Sequence, residues 1–75
     1  MNERIIYDYD ALRGKIRGVF KTQKAFAVAM GIGAVAVSKK LNNHVDWSGP
    51  EMVRACTLLG ISLCELHIYF FTIKL

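Results

Sequence analysis

The sequence predicts an all-α domain of five short helices. Three observations carry this prediction. Apolar residues recur at the helical period of 3.6, as Leu12, Ile16, Val19 and Phe20 show. Good helix-starting residues (Asp8 or Asp10, Thr22, Ser48, Ser62) stand ahead of such runs, and Gly31 and Gly60 stand where runs stop. The composition is 53% hydrophobic with one proline, which fits a compact fold and not a disordered chain.

The first helix runs from about Asp10 to Phe20, with Leu12, Ile16, Val19 and Phe20 as its apolar stripe. Gly14 and Gly18 weaken it by up to ~1 kcal/mol each relative to alanine and leave room for a neighbouring helix. The second follows Thr22 and runs to Met30, with Phe26, Ala27 and Met30 inward. Gly31 ends it by taking the left-handed conformation, and Ile32 plugs inward. The third starts near Gly33 or Ala34 and ends near Leu41, with Val37 and Leu41 inward. Asn42 and Asn43 suit a tight exit, and Trp47 anchors the loop NNHVDW to the core. Ser48 opens the fourth helix with Pro50 in its first turn. Met52 or Val53, Cys56 and Leu59 form its stripe. Ser62 caps a fifth helix through about Tyr69, with Glu65 in a capping-box position. The ending FFTIKL alternates apolar and polar residues, the pattern of a short C-terminal extended segment.

Seventy-five residues make one small domain, residues 1–75, of marginal stability; about residues 1–8 read as a flexible start. The longest apolar runs fall well short of the ~20 residues of a membrane span, and MNERIIYDYD lacks the pattern of a secretory signal. The expected place is therefore the cytoplasm. Cys56 and Cys64 sit in apolar surroundings and read as reduced core thiols. His44 and His67 are too far apart, with no ligands near, to suggest a metal site. The six acids are scattered and no Gly-rich phosphate loop occurs, so no enzyme and no cofactor are expected.

Ten Lys and Arg against six Asp and Glu give a net charge of +4. From Leu12 to His44 the chain carries Arg13, Lys15, Arg17, Lys21, Lys24, Lys39 and Lys40 and no acid. The acids fall at the ends: Glu3, Asp8 and Asp10, then Asp46, Glu51 and Glu65. A basic middle between acidic ends suits an anionic partner such as nucleic acid.

The stretch TQKAFAVAMGIGAVAVSKKLNN, Thr22 to Asn43, has the outline of two helices joined by a tight turn. Phe26 and Ala27, then Met30, Gly31 and Ile32, then Val37, occupy the positions a helix-turn-helix needs. The chain resembles small phage proteins of the Cro/repressor type, with a lambda-repressor-like domain. YDALRGKI, TQKAFA, SKKLNN, the Trp-Ser before the fourth helix and LHIYFF carry the likeness over about Tyr9 to Phe71. One departure is visible: the usual inward position late in the motif holds Lys40, and Leu41 replaces it.

The resemblance implies a transcriptional regulator that binds operator DNA, acts as a homodimer and works at the nucleoid of a bacterial host. On that likeness Gln23, flanked by Thr22 and Lys24, lies against phosphate or a flanking base. Ala34, Val35 and Ala36 face base edges in the major groove. Ser38 and Lys39 lie farther along the same face. Asn42, Asn43 and His44 lie near the backbone, and Ser48 offers a phosphate its hydroxyl and the N–H groups of the fourth helix.

The recognition helix nevertheless lacks readers. Direct readout uses Arg or Lys on guanine and Asn or Gln on adenine, each pair giving roughly 1–3 kcal/mol of discrimination. Gly33 stands where a hydroxyl cap is usual, and Ala34, Val35 and Ala36 can touch only thymine methyls. Three readings follow. The protein grips DNA mainly through phosphates, aided by Gln23, Ser38 and Lys39. Or the GAVAV face binds a protein, such as the cognate phage repressor, and the chain is a modulator with weak or no DNA binding of its own. Or part of the run is core. The basic window favours the first; the second is the alternative, and an antitoxin-like partner is a third. The apolar end, Tyr69, Phe70, Phe71, Ile73 and Leu75, reads either as a dimer or partner surface or as Phe70 closing the core.

Overall fold

A computed structural model of the chain describes residues 5–75. Five α-helices follow one another: α1 Asp10–Phe20, α2 Gln23–Met30, α3 Ala34–Leu41, α4 Gly49–Leu59 and α5 Leu66–Phe70. A 3-10 turn, Leu63–Glu65, leads into α5. Among the described residues there is no strand, and one isolated antiparallel bridge joins Tyr7 to Ile73. No single described helix is long and apolar enough to cross a membrane.

Local chemistry explains the boundaries. The Thr22 hydroxyl accepts the N–H of Ala25 at 3.1 Å and so caps α2. Gly31 ends that helix at φ 77°, and the N–H of Ile32 returns to the carbonyl of Ala27 at 3.1 Å. At α4 the Ser48 hydroxyl accepts the Glu51 N–H at 3.2 Å while the Glu51 carboxylate accepts the Ser48 N–H at 2.9 Å. This reciprocal box satisfies two donors that a helix start otherwise leaves bare. The first helix starts differently from the expectation: Tyr9 precedes it without a side-chain cap, and the Asp8 carboxylate accepts the Asp10 N–H at 2.9 Å.

The core is built from Leu12, Ile16, Phe26, Val37, Leu41, Cys56 and Phe70, with Tyr9, Met30, Trp47 and Leu59 around them. Four expectations are corrected here. Val19 is exposed, because Leu12, Ile16 and Phe20 already line the covered side of α1 and Val19 falls on its flank. Phe20 is half-buried, edge-on to Phe26 at 5.6 Å. A Cβ at Gly14 or Gly18 would meet nothing, so no helix approaches there. The Ser62 hydroxyl accepts the N–H of Cys64 at 3.3 Å, while the Glu65 N–H goes to the Ser62 carbonyl at 2.8 Å; the 3-10 turn tightens the backbone before a capping box can close, and α5 begins at Leu66. Of the pair Met52 and Val53, Met52 is the half-buried one. Cys64 is exposed and Cys56 buried, so only one of the two cysteines is a core thiol.

Late in α3 Lys40 and Leu41 are both buried. Leu41 supplies the apolar side chain, and Lys40, 8% exposed, enters beside it. Its ammonium reaches Glu51 Oε1 at 3.1 Å and the carbonyl of Asp46 at 3.1 Å. It lies 5.8 Å from the Trp47 ring centre, a cation–π distance. Trp47 packs edge-on to Phe70 at 5.4 Å, and its indole N–H has no partner among the described residues.

Residues 6–8 and 72–74 run side by side. The Asp8 N–H donates to Thr72 O at 2.7 Å and the Lys74 N–H donates to Ile6 O at 2.8 Å. On the other side of the same segment, Asn43 sits at φ 65° and turns its amide onto Tyr7. It accepts the Tyr7 N–H at 2.8 Å and donates to the Tyr7 carbonyl at 3.0 Å, as a neighbouring strand would. The extended C-terminal segment thus pairs with residues 6–8, part of the stretch expected to be a flexible start. The rest of that expectation, together with Glu3, falls partly on residues 1–4, which lie outside the described residues.

Candidate functional site

The face offered by α2 and α3 follows from helix geometry. In α2 the inward residues Phe26, Ala27 and Met30 leave Val28 on the opposite side. In α3 the inward Val37 and Leu41 leave Val35 outward. Val28 is 74% exposed and Val35 69%, more than any other large apolar side chain among the described residues except Leu75. Ala29, Gly33 and Ala34 are exposed with them, while Ile32 and Ala36 are half-buried. Lys24 lies one turn before Val28 and Lys39 one turn after Val35, both exposed. The GAVAV run is therefore surface, with only Val37 in the core, and it is apolar at its centre and cationic at its rim.

Several of the expected polar contacts have internal work. The hydroxyls of Thr22 and Ser48 are occupied by helix capping. Asn42 donates to Ser38 O at 2.9 Å and accepts the guanidinium of Arg13 at 3.0 Å. That guanidinium also donates to Leu41 O at 2.7 Å, which fastens the end of α3 to α1. Asn43 holds Tyr7. Ser38 and Gln23 are half-buried, the latter at the first position of α2, and His44 is exposed. The structure thus leaves Lys24 on α2 and Ala34, Val35 and Lys39 on α3 exposed, with Gln23, Ala36 and Ser38 half-buried. It ties Asn42 and Asn43 into the fold.

Two residues of this region escape a reading by sequence. Val28 is exposed although apolar, and its place follows only once Phe26, Ala27 and Met30 are known to face inward. Arg54 of α4 donates to the carbonyl of Met30 at 3.1 Å. It lines a groove of about 380 Å³ with Met30, Gly31, Ile32, Pro50 and Glu51, directly beside the turn between α2 and α3. Nothing in sequence position 54 points to position 30. Among the described residues no three His, Cys, Asp or Glu side chains converge as a metal site requires.

No curated protein matches the chain. Among solved structures, the solution structure of the modulator of repression (MOR) of the temperate bacteriophage TP901-1 from Lactococcus lactis is similar at 42% identity. The likeness covers 87% of this chain and 88% of that one, with a TM-score of 0.78. A family model described as "Protein of unknown function (DUF739)" matches residues 5–73. With nearly the whole described chain inside that match, the protein belongs to the DUF739 family.

Proposed function

We propose that this chain is a modulator of repression: it binds a phage repressor protein through the exposed α2–α3 face and has weak or no DNA binding of its own. The observation that carries this is the 42% likeness, over 87% of the chain, to a phage modulator of repression. The chemistry of the face agrees. A helix that reads bases carries donors and acceptors at its start, whereas here Ala34 and Val35 stand in those places, and Val28 of α2 is exposed as well. Exposed apolar side chains rimmed by charge suit a protein interface, whose core is apolar and whose rim is polar. On this reading the protein works in the cytoplasm of a bacterial host and needs no cofactor, no catalysis and no homodimer.

The second reading, an operator-binding Cro-like regulator, is favoured by the exposed Lys21, Lys24 and Lys39. Calorimetry against the repressor encoded beside its gene, and anisotropy against duplexes from the same intergenic region, separate the two. The modulator reading expects repressor binding that survives added salt and is lost in Val35→Glu. The replacement leaves stability within about 0.5 kcal/mol because the position is exposed. Tight binding to one duplex, weakening steeply with salt, with no binding to the repressor, would overturn it.

A further inference from the structure

A second site lies away from α2 and α3. A cavity of about 180 Å³ is lined by Tyr7, Tyr9, Asp46, Trp47, Phe70 and Phe71, with Met52 at its side. The pairing of the chain ends builds it. Tyr7 stands opposite Ile73 in the antiparallel bridge, so Tyr7, Tyr9 and Phe71 fall on one side of the paired segments, and Asp8 and Thr72 on the other. Tyr7 lies 6.1 Å from the Tyr9 ring and 5.9 Å, edge-on, from Phe71. Trp47 and Phe70 form the floor, both buried. Tyr7 is half-buried, while Phe71 and Asp46 are exposed, so the rim is open.

The charges at this rim differ from those of the rest of the molecule. The carboxylate of Asp46 forms no ion pair among the described residues, where the one salt bridge is Lys40 with Glu51. Lys40, the cation nearest the Trp47 ring, is neutralised by that pairing. Across the paired segments a separate cavity carries Asp8 and Asp10, against Lys74 and an Arg13 already bound to Leu41 and Asn42. A basic protein therefore keeps an unpaired carboxylate beside a cluster of aromatic rings.

Aromatic faces attract cations through their quadrupoles, and a carboxylate beside them fixes the cation's position. Arginine fits both features, since its planar group stacks on rings and its fork matches a carboxylate. We infer that the Tyr7–Tyr9–Phe71 cavity with Asp46 is a receptor for an arginine side chain of a protein partner. The assignment rests on the modulator reading only for the identity of that partner, the repressor. Its elements, the two chain ends and the approach to α4, include no residue of α2 or α3, so it is a second contact, independent of Val35.

The test is an NMR titration of the ¹⁵N-labelled full chain with the capped tripeptide Ala-Arg-Ala and its citrulline counterpart, which keeps the shape and removes the charge. The arginine peptide should move the signals of Tyr7, Phe71 and the Trp47 indole N–H. The citrulline peptide should leave them in place, and Asp46→Asn should weaken arginine binding about tenfold. Equal shifts with both peptides, or none with either, would overturn the assignment. A repressor that binds the wild-type and Asp46→Asn chains equally well would also overturn it while leaving the modulator reading intact. A repressor that binds neither chain would sink that reading, and the peptides would still decide the cavity.

Discussion

The pair Lys40–Glu51 offers a sharp test of how this fold is held. The Lys40 side chain is 10% exposed and that of Glu51 24%, with 3.1 Å between the charged atoms. Removing one charge of a buried pair strands the other, and full burial makes that cost about 3–5 kcal/mol. Glu51 keeps partial contact with water, which reduces the expected loss for Glu51→Gln to about 2 kcal/mol. Lys40→Met should cost less, about 0–1 kcal/mol. The Glu51 carboxylate keeps the Ser48 N–H at 2.9 Å, and the thioether fills the space of the lysine stem beside Leu41. The double variant should resemble Lys40→Met alone, leaving a coupling of about 2 kcal/mol. Urea unfolding of the four proteins at neutral pH measures this. In a domain this small the Glu51→Gln loss lowers Tm by roughly 8–16 °C.

The same pair sets a pH dependence. Burial pushes the Glu51 carboxyl up, but the Ser48 N–H, the Lys40 ammonium and the Ser48 hydroxyl outweigh it and hold the group below its ordinary 4.5. A carboxylate depressed in the folded state contributes stability above its unfolded pKa and loses it as pH falls through the folded one. The gap between wild type and Glu51→Gln should therefore be constant near neutrality and shrink as pH drops below 4.5. If Lys40→Met costs as much as Glu51→Gln, or the coupling falls below about 0.3 kcal/mol, the ammonium is not held as described and the reasoning fails.

Three further outcomes are expected. Asn43→Ala loses both hydrogen bonds to Tyr7 and takes on strain at φ 65°, for about 2 kcal/mol. Asn43→Gly keeps the backbone conformation and should cost less; equal losses in denaturant would show that conformation, not the clamp, is irrelevant. Gly14→Ala and Gly18→Ala should each stabilise by about 0.5–1 kcal/mol, since the new Cβ meets nothing, and a drop in Tm would refute the open placement. A thiol reagent at mildly alkaline pH should label Cys64 at once and Cys56 only on unfolding. Cys64 is exposed, whereas burial raises the Cys56 thiol above its ordinary range and shields it; rapid labelling of both would contradict the packing of α4.

The starts and stops of α2 and α4 were legible because their causes are local, whereas the start of α5 was displaced by a 3-10 turn. Thr22 caps the helix three residues away, Ser48 and Glu51 close their box within one turn, and Gly31 and Gly60 supply the left-handed conformation on the spot. The sequence alone also showed that the start of α3 has no base-reading side chains, since that depends on residue identity. Its basic window pointed to DNA, while the likeness to a modulator of repression favours the protein-binding alternative. A lysine count cannot distinguish a surface that grips phosphate from the rim of a protein interface.

What sequence could not supply were contacts between distant positions. Asn43 and Tyr7 are 36 residues apart, and no local pattern tells an asparagine that bonds a remote backbone from one that faces solvent. Arg13 and Asn42 met the same limit, as polar residues on a basic stretch that the fold consumes internally. Lys40 was readable as standing at a usually inward position, but the carboxylate that meets it, Glu51, lies on another helix. The aromatic cavity exists only because the two chain ends pair, bringing Tyr7 and Tyr9 to Phe71 and Asp46. Residue identity and local spacing determined the capped helices α2 and α4 and the apolar character of the start of α3. Tertiary packing decided which polar groups remain free to bind a partner, because hydrogen bonds and ion pairs are satisfied by whatever the fold brings within reach.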